Sequence, residues 1–288
     1  MGRSGRALVV VAGTAALLAA CAGAAPPLRG MIVYGSFQST ALRGTYHYAV
    51  YLPPGYGSGS KRYPVVYFLH GLPAGPNDYK QIGIIAQAVE QSRRAAIVVG
   101  AQGARTGDTD PEWRDWGPGR KWETATAVEL PRVIDSRYRT IAARDGRLLV
   151  GISAGGYGAT LIANHHPGTY RVIESWSGYF HATDPAGTQA LDLGSSDAND
   201  WATFEAQIPL LKKRFASWWS TTYYGFYVGT NDARFLAENV EIEQLFRTYH
   251  VPHVYFYIYP GAHSWSLWQQ HAPAWIGGGL SVAAQPRT

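Results

Sequence analysis

Two periodicities alternate along the chain. Uninterrupted apolar runs over 65–69, 95–100 and 148–150 have no polar face, the pattern of strands buried on both sides in a parallel sheet. The segments 171–176, 223–228 and 254–259 read as further strands, as does 46–52, which the Pro53-Pro54-Gly55 turn closes. Between them, 82–93, 122–138, 155–165, 232–249 and a terminal stretch from Ser264 carry apolar residues at helical spacing. This alternation predicts the α/β class: a mostly parallel central sheet with helices on both faces, in one domain over 31–288. Residues 180–221, rich in Asp, Gly, Ser and Trp, break the alternation and read as an insertion or cap over the sheet edge.

Composition adds an ample core and removes one class of partner. Of 288 residues 46% are hydrophobic and only 16% charged, so nothing in the balance points to disorder. The net charge of +5 raises the question of nucleic acid. The Lys and Arg are scattered, however, and the densest cluster is Lys212-Lys213-Arg214, with no basic stripe or nucleic-acid module. No nucleic-acid partner is expected.

The N-terminus has a different pattern. Arg3 and Arg6 precede an apolar run over 7–20, too short for a comfortable membrane span and laid out like a secretory signal. It ends in Leu18-Ala19-Ala20-Cys21, and Cys21 is the single cysteine of the chain. Small residues before a lone cysteine resemble the lipobox of bacterial lipoproteins, whose cysteine is acylated and becomes the new N-terminus. The alternative is an ordinary cleaved signal, and either reading takes the protein out of the cytoplasm. The expectation is a lipoprotein signal peptide over 1–20, lipidation at Cys21 that anchors the protein to the membrane, and a short tether over 21–30. One cysteine excludes an intramolecular disulfide, so stability must come from the core.

The chemistry starts at Gly151-Ile152-Ser153-Ala154-Gly155, between a predicted strand and an Ala-rich helix. A serine on a sharp strand-to-helix turn exposes its hydroxyl, and side chains at the flanking glycines would collide with neighbouring backbone. The helix start directs its N–H groups toward the charge that develops near Ser153. A nucleophilic serine needs a base and an acid to orient it, and the scaffold that uses such an elbow supplies the acid first and the histidine last. Asp232 follows the strand 223–228 and His263 follows 254–259, both at carboxyl ends of strands. Other candidates are poorly placed. His165 and His166 end the helix after Ser153, His250 and His253 precede the last strand, and His271 lies two turns into the terminal helix. His181, Asp184, Asp192, Asp197 and Asp200 belong to the irregular segment. For Asp232 the alternative is a helix N-cap. The oxyanion hole is expected from the N–H groups of Ala154 and Leu72, the latter in the loop His70-Gly71-Leu72-Pro73 after an early strand. No metal site and no cofactor is implied.

These motifs together carry a family likeness. They are Leu69-His70-Gly71-Leu72-Pro73, Trp122-Glu123-Thr124 with Glu129-Leu130, Gly151 to Ala159, Gly229-Thr230-Asn231-Asp232, and Gly261-Ala262-His263-Ser264-Trp265 through Trp268. Over about 46–280 the chain resembles the esterase family of α/β hydrolases, which includes esterase D, feruloyl esterases, enterochelin esterases and the mycobacterial mycolyltransferases. The resemblance implies an α/β-hydrolase fold and a serine esterase acting on a small-molecule ester, with nucleophile Ser153, acid Asp232, base His263 and oxyanion donors Leu72 and Ala154. Acyl transfer in the cell envelope through the same acyl-enzyme is the alternative. The mycolyltransferases usually carry a sugar-binding arginine after the oxyanion leucine, and here Pro73 stands in that place. Ten tryptophans, among them Trp113, Trp116, Trp218, Trp219, Trp265 and Trp268, suggest aromatic walls for a sugar or phenolic ring, or simply core.

Overall fold

Runs without a polar face have no side to offer water, and they form the middle of the sheet. The computed structural model of the chain describes residues 27–108, 111–180, 220–233 and 235–284. Strands β1 (Met31–Ser39), β2 (Gly44–Leu52), β3 (Val65–Leu69), β4 (Ile97–Ala101), β5 (Arg147–Ile152), β6 (Val172–Trp176), β7 (Tyr223–Gly229) and β8 (Val254–Tyr259) form one sheet, in the order β1-β2-β4-β3-β5-β6-β7-β8. The pairs β1–β2 and β2–β4 are antiparallel and the remainder parallel. Strands β3, β4 and β6 are buried along their whole length. Each such Val, Leu, Ile or Phe side chain contributes roughly 1.5–3 kcal/mol by leaving water.

Helices cover both faces. On one lie α1 (Gly83–Gln91) and α6 (Trp265–Val282), which bring Ile85, Val89, Trp275 and Ile276 to the sheet. On the other lie α2 (Trp122–Thr124), α3 (Leu130–Arg137), α4 (Ala154–His165) and α5 (Leu236–Thr248), which bring Trp122, Ile134, Ile162 and Phe246. The adjacent strands β3 and β5 lead to α1 and α4, on opposite faces, so a crevice opens at their carboxyl ends. In open α/β sheets this switch point is where ligands bind.

Three local features differ from the pattern. Strand β1 precedes the first strand expected from the sequence; its short apolar start, Met31-Ile32-Val33-Tyr34, gives way to Gly35 and Ser36, and exposed Tyr34, Ser36 and Gln38 alternate with half-buried Gly35 and Phe37. The single helix expected over 122–138 contains a π-helical stretch, Ala125–Glu129, just before Pro131. A proline there has no N–H for the carbonyl one turn back, and the wider turn gives its ring room. The last expected tether residues are packed: the N–H groups of Arg29 and Gly30 donate to Glu90 Oε1 at 2.7 and 2.9 Å, and Leu28 rests on the core. Residues 1–26, with the expected signal peptide and Cys21, and the segment 181–219 with Lys212, Trp218 and Trp219 lie outside the described residues. Among the described residues no helix is long and apolar enough to cross a membrane.

Candidate active site

Strand β5 ends in a strained turn. Ser153 has φ 56° and ψ −122°, outside the ordinary regions for a residue with a side chain, a conformation that costs about 1–3 kcal/mol and persists only where the surroundings impose it. The flanking glycines explain how the turn closes: a Cβ on Gly151 would run into the Gly155 carbonyl, and one on Gly155 into the Leu69 carbonyl. β3, β5 and α4 are therefore pressed together at the serine.

The sequence-predicted acid and base meet there. His263 Nε2 lies 3.0 Å from Ser153 Oγ, and His263 Nδ1 lies 2.7 Å from Asp232 Oδ2. A carboxylate only accepts, so Nδ1 carries the ring proton and Nε2 is left to accept from the serine hydroxyl. The helix starting after Asp232 begins at Leu236, with Phe235 as its cap, so the Asp232 side chain serves the histidine rather than the helix end. The loops after β7 and β8 are tied to each other, with Thr230 N–H donating to the Tyr259 carbonyl at 2.8 Å and Asn231 N–H to the Gly261 carbonyl at 2.7 Å. The imidazole meets the rings of Phe235 and Trp268 edge to face, at 5.1 and 5.0 Å between centroids. Trp268 is itself fixed, its indole N–H donating to Ser177 Oγ at 3.1 Å.

Ala154 and Leu72, the residues expected to supply the two N–H donors, both lie close to the serine. Ala154 is the first residue of α4, so its N–H has no carbonyl one turn back in the helix. Gly71 abuts Ser153: a Cβ there would lie 3.0 Å from Ser153 Cβ. The Leu72 side chain packs against a small cluster of Ala154, Tyr157, Leu161, Tyr179 and Phe235. A cavity of about 330 Å³ opens over Ser153, bounded by Leu72, Pro73, Asp78, Gln81, His263, Trp265 and Trp268. A larger depression, about 1040 Å³, runs along the β8 edge beside Tyr255, Tyr257 and Trp275. It contains none of Ser153, Asp232 or His263, whereas Ser153 and His263 line the smaller cavity.

The tryptophans divide. Trp265, 46% exposed, and Trp268 border the cavity, whereas Trp113 is buried beside His70 and Trp116 donates to the Pro111 carbonyl. His165 and His166 stay away from the serine, both within 2.9 Å of Glu123 Oε1. Glu123 is held down to about 2: burial opposes the shift, and hydrogen bonds from the two imidazoles outweigh it. His271 stacks on Tyr259 at 3.5 Å. Among the described residues no group of three His, Cys, Asp or Glu side chains is spaced to hold a metal ion. Sequence reasoning assigned no role to Phe235, Asp78, Gln81 or the imidazole of His70. Only the last had a signal, its place inside the oxyanion motif.

The family model described as "Putative esterase" matches residues 39–274. The Mycobacterium tuberculosis (strain H37Rv) esterase Rv1288 is 31% identical over 146 residues, which is 50% of this chain and 32% of that protein. The diacylglycerol acyltransferase/mycolyltransferase Ag85B of Mycobacterium avium is 31% identical over 154 residues, covering 50% of this chain and 44% of that one. The chain thus spans less than half the length of these curated relatives. Among solved structures a ferulic acid esterase superposes with a TM-score of 0.72 at 22% identity, over 88% of this chain and 98% of that one, which shows a shared α/β-hydrolase fold. With most of its length matched by the family model, the chain belongs to the esterase family of α/β hydrolases.

Proposed function

We propose that the chain hydrolyses carboxylic esters of small molecules through an acyl-enzyme on Ser153. The observation that carries this is the unbroken succession from Ser153 Oγ to His263 Nε2 at 3.0 Å and from His263 Nδ1 to Asp232 Oδ2 at 2.7 Å. In this reading His263 takes the Ser153 proton as Oγ attacks the carbonyl carbon, and the electron pair of the C=O bond moves onto oxygen. The N–H groups of Leu72 and Ala154 receive that oxyanion. Collapse expels the alcohol, which leaves with the proton from His263. Water then repeats the sequence, releasing the acid and restoring Ser153. Asp232 keeps the imidazole in its working tautomer and stabilises the imidazolium.

The cavity is at the small end of the roughly 300–1,000 Å³ range of small-molecule sites, and Trp265 offers a flat apolar wall to a phenolic or sugar ring. The name of the M. avium relative favours a second reading, in which an alcohol rather than water captures the acyl-enzyme. Turnover of acetyl, feruloyl and long-chain p-nitrophenyl esters, with product analysis in the presence of trehalose or glycerol, separates the two. Ser153→Ala is expected to lower kcat by about 10⁶; turnover that survives it moves the chemistry elsewhere.

We also propose that the protein is exported and lipid-anchored at Cys21, on the strength of the Leu18-Ala19-Ala20-Cys21 segment. Mass spectrometry of the mature N-terminus is expected to find acylated Cys21, and Cys21→Ser to release the protein from membranes. An unmodified Cys21 in the mature protein ends this part of the reading.

A further inference from the structure

We infer that His70 is a positioning residue that aims the Leu72 N–H at the oxyanion, by holding the carbonyl of the Gly71–Leu72 peptide. The inference rests on the reading of Ser153 as the nucleophile.

The need for such a residue comes from Gly71. A side chain at this position would press on Ser153 Cβ at 3.0 Å and on the Ile152 carbonyl at 3.1 Å, so the chain passes the nucleophile as glycine. Glycine also leaves the following peptide plane with the least steric direction. The Gly71–Leu72 bond is trans, so its C=O and N–H point in opposite directions. If the plane turned over, a carbonyl oxygen would replace the N–H facing the oxyanion, and a stabilising dipole would become a repelling one. Gly71 offers this turn little steric resistance, so on that side of the peptide a hydrogen bond has to hold the plane.

His70 supplies that bond. Its Nδ1 lies 2.9 Å from the Gly71 carbonyl oxygen. The carbonyl can only accept, so Nδ1 is the protonated nitrogen. Nε2 is buried with no partner among the described residues, as expected of the nitrogen that carries no proton. A doubly protonated ring would bury an N–H without an acceptor. Burial lowers the proton affinity of the imidazole, against the opposing pull of the Gly71 carbonyl and of Asp78, whose Oδ2 lies 4.0 Å from Nδ1. The ring is also held in place. It is 2% exposed and tilts against Trp113 at 5.0 Å, and Gly103 makes its slot: a Cβ there would come within 2.6 Å of Nε2. The far end of the loop is fastened separately by Asp78 Oδ2, which accepts from Gly75 N–H at 2.6 Å. His70 therefore sets the plane of one peptide rather than the course of the loop.

His70→Leu keeps the volume of the buried slot and removes the donor, whereas His70→Asn returns an N–H at the position of Nδ1. Removing an oxyanion donor outright lowers kcat by about 10²–10³. A plane that is free to turn should cost part of that, roughly 10–100-fold in kcat on p-nitrophenyl acetate with KM within about twofold. His70→Asn should recover most of the loss. Affinity for a trifluoromethyl ketone, whose adduct carries the oxyanion, should fall in His70→Leu by the same factor as kcat/KM, while affinity for the planar product acid stays put. A merely structural role would weaken both. The inference is overturned if folded His70→Leu matches wild type in kcat and ketone affinity, or if His70→Asn is no better than His70→Leu. Should His70→Leu fail to fold, imidazole ¹⁵N spectra of the wild type decide: the Nδ1-protonated neutral ring supports the assignment, and an Nε2–H tautomer or an imidazolium at pH 7 overturns it. Ser153→Ala in the same assay keeps the two readings apart, because surviving turnover there refutes the nucleophile whatever His70 does.

Discussion

The site is assembled from two unlike halves of one sheet. Ser153 and the Gly71–Leu72 peptide stand on β5 and β3, strands flanked on both sides by others and buried, β3 throughout and β5 but for its first residue. His263 follows β8, which is the last strand of the sheet among the described residues and has no fully buried residue, and Asp232 follows the adjacent β7. On the central side, position comes from backbone pressed against backbone, as at Gly151 and Gly155. On the edge side it comes from loop-to-loop hydrogen bonds and the rings of Phe235 and Trp268. The division suits the proposed chemistry. Oxyanion donors work by already being oriented, whereas an imidazole passing a proton between serine and leaving group tolerates a softer mounting.

Substitutions that unequally load the two halves test this contrast. Leaving the nucleophile itself aside, the largest expected effect lies at the edge: Asp232→Asn should lower kcat by about 10⁴, through the wrong imidazole tautomer, with little change in KM or melting temperature. Steady-state kinetics beside thermal denaturation read this, and a matching loss of fold would mean that Asp232 holds the loops rather than the histidine. Next comes stability. Phe68→Ala in β3 empties a fully buried slot and should cost about 3–5 kcal/mol, whereas Tyr257→Ala in β8, 55% exposed, should cost about 0.5 kcal/mol. Urea unfolding of both variants would erase the contrast if the costs came out alike.

The smallest effect sits between the halves. Glu174 on β6 is fully buried, and burial pushes its carboxyl up to about 8 against a lowering hydrogen bond from the Trp176 indole. Between about pH 4.5 and 8 the unfolded chain gives up this proton while the folded one keeps it. Folding stability from this group is therefore complete below pH 4.5 and is lost as pH rises through 8. Glu174→Gln should flatten that decline and gain about 1–3 kcal/mol over wild type near pH 9. Parallel slopes for the two proteins between pH 6 and 9 would count against a neutral Glu174.

Much of this was legible in the linear pattern, because the features concerned are local. An apolar run such as 65–69 carries its own burial, and the glycines around Ser153 report a turn that only they permit. The edge strand β1 has only a weak signature, since its apolar start at Met31–Tyr34 runs into Gly35 and Ser36 and no residue before Ser39 is fully buried. The π-helical turn before Pro131 has none, because helical spacing hardly changes across one wider turn. His165 and His166 carry the pattern of a helix end, but their shared partner Glu123 comes from another helix and no local pattern points to it.

By itself the sequence determined the alternation of elements, the strained serine turn, and the order in which serine, acid and base arrive, all of which depend on neighbours a few residues away. The tertiary structure decided which strands lie side by side, that His263 reaches Ser153 across 110 positions, which tryptophans face the cavity, and where the His70 ring points. Those depend on side chains from distant segments sharing one volume, and no local pattern encodes who the neighbours across that volume are.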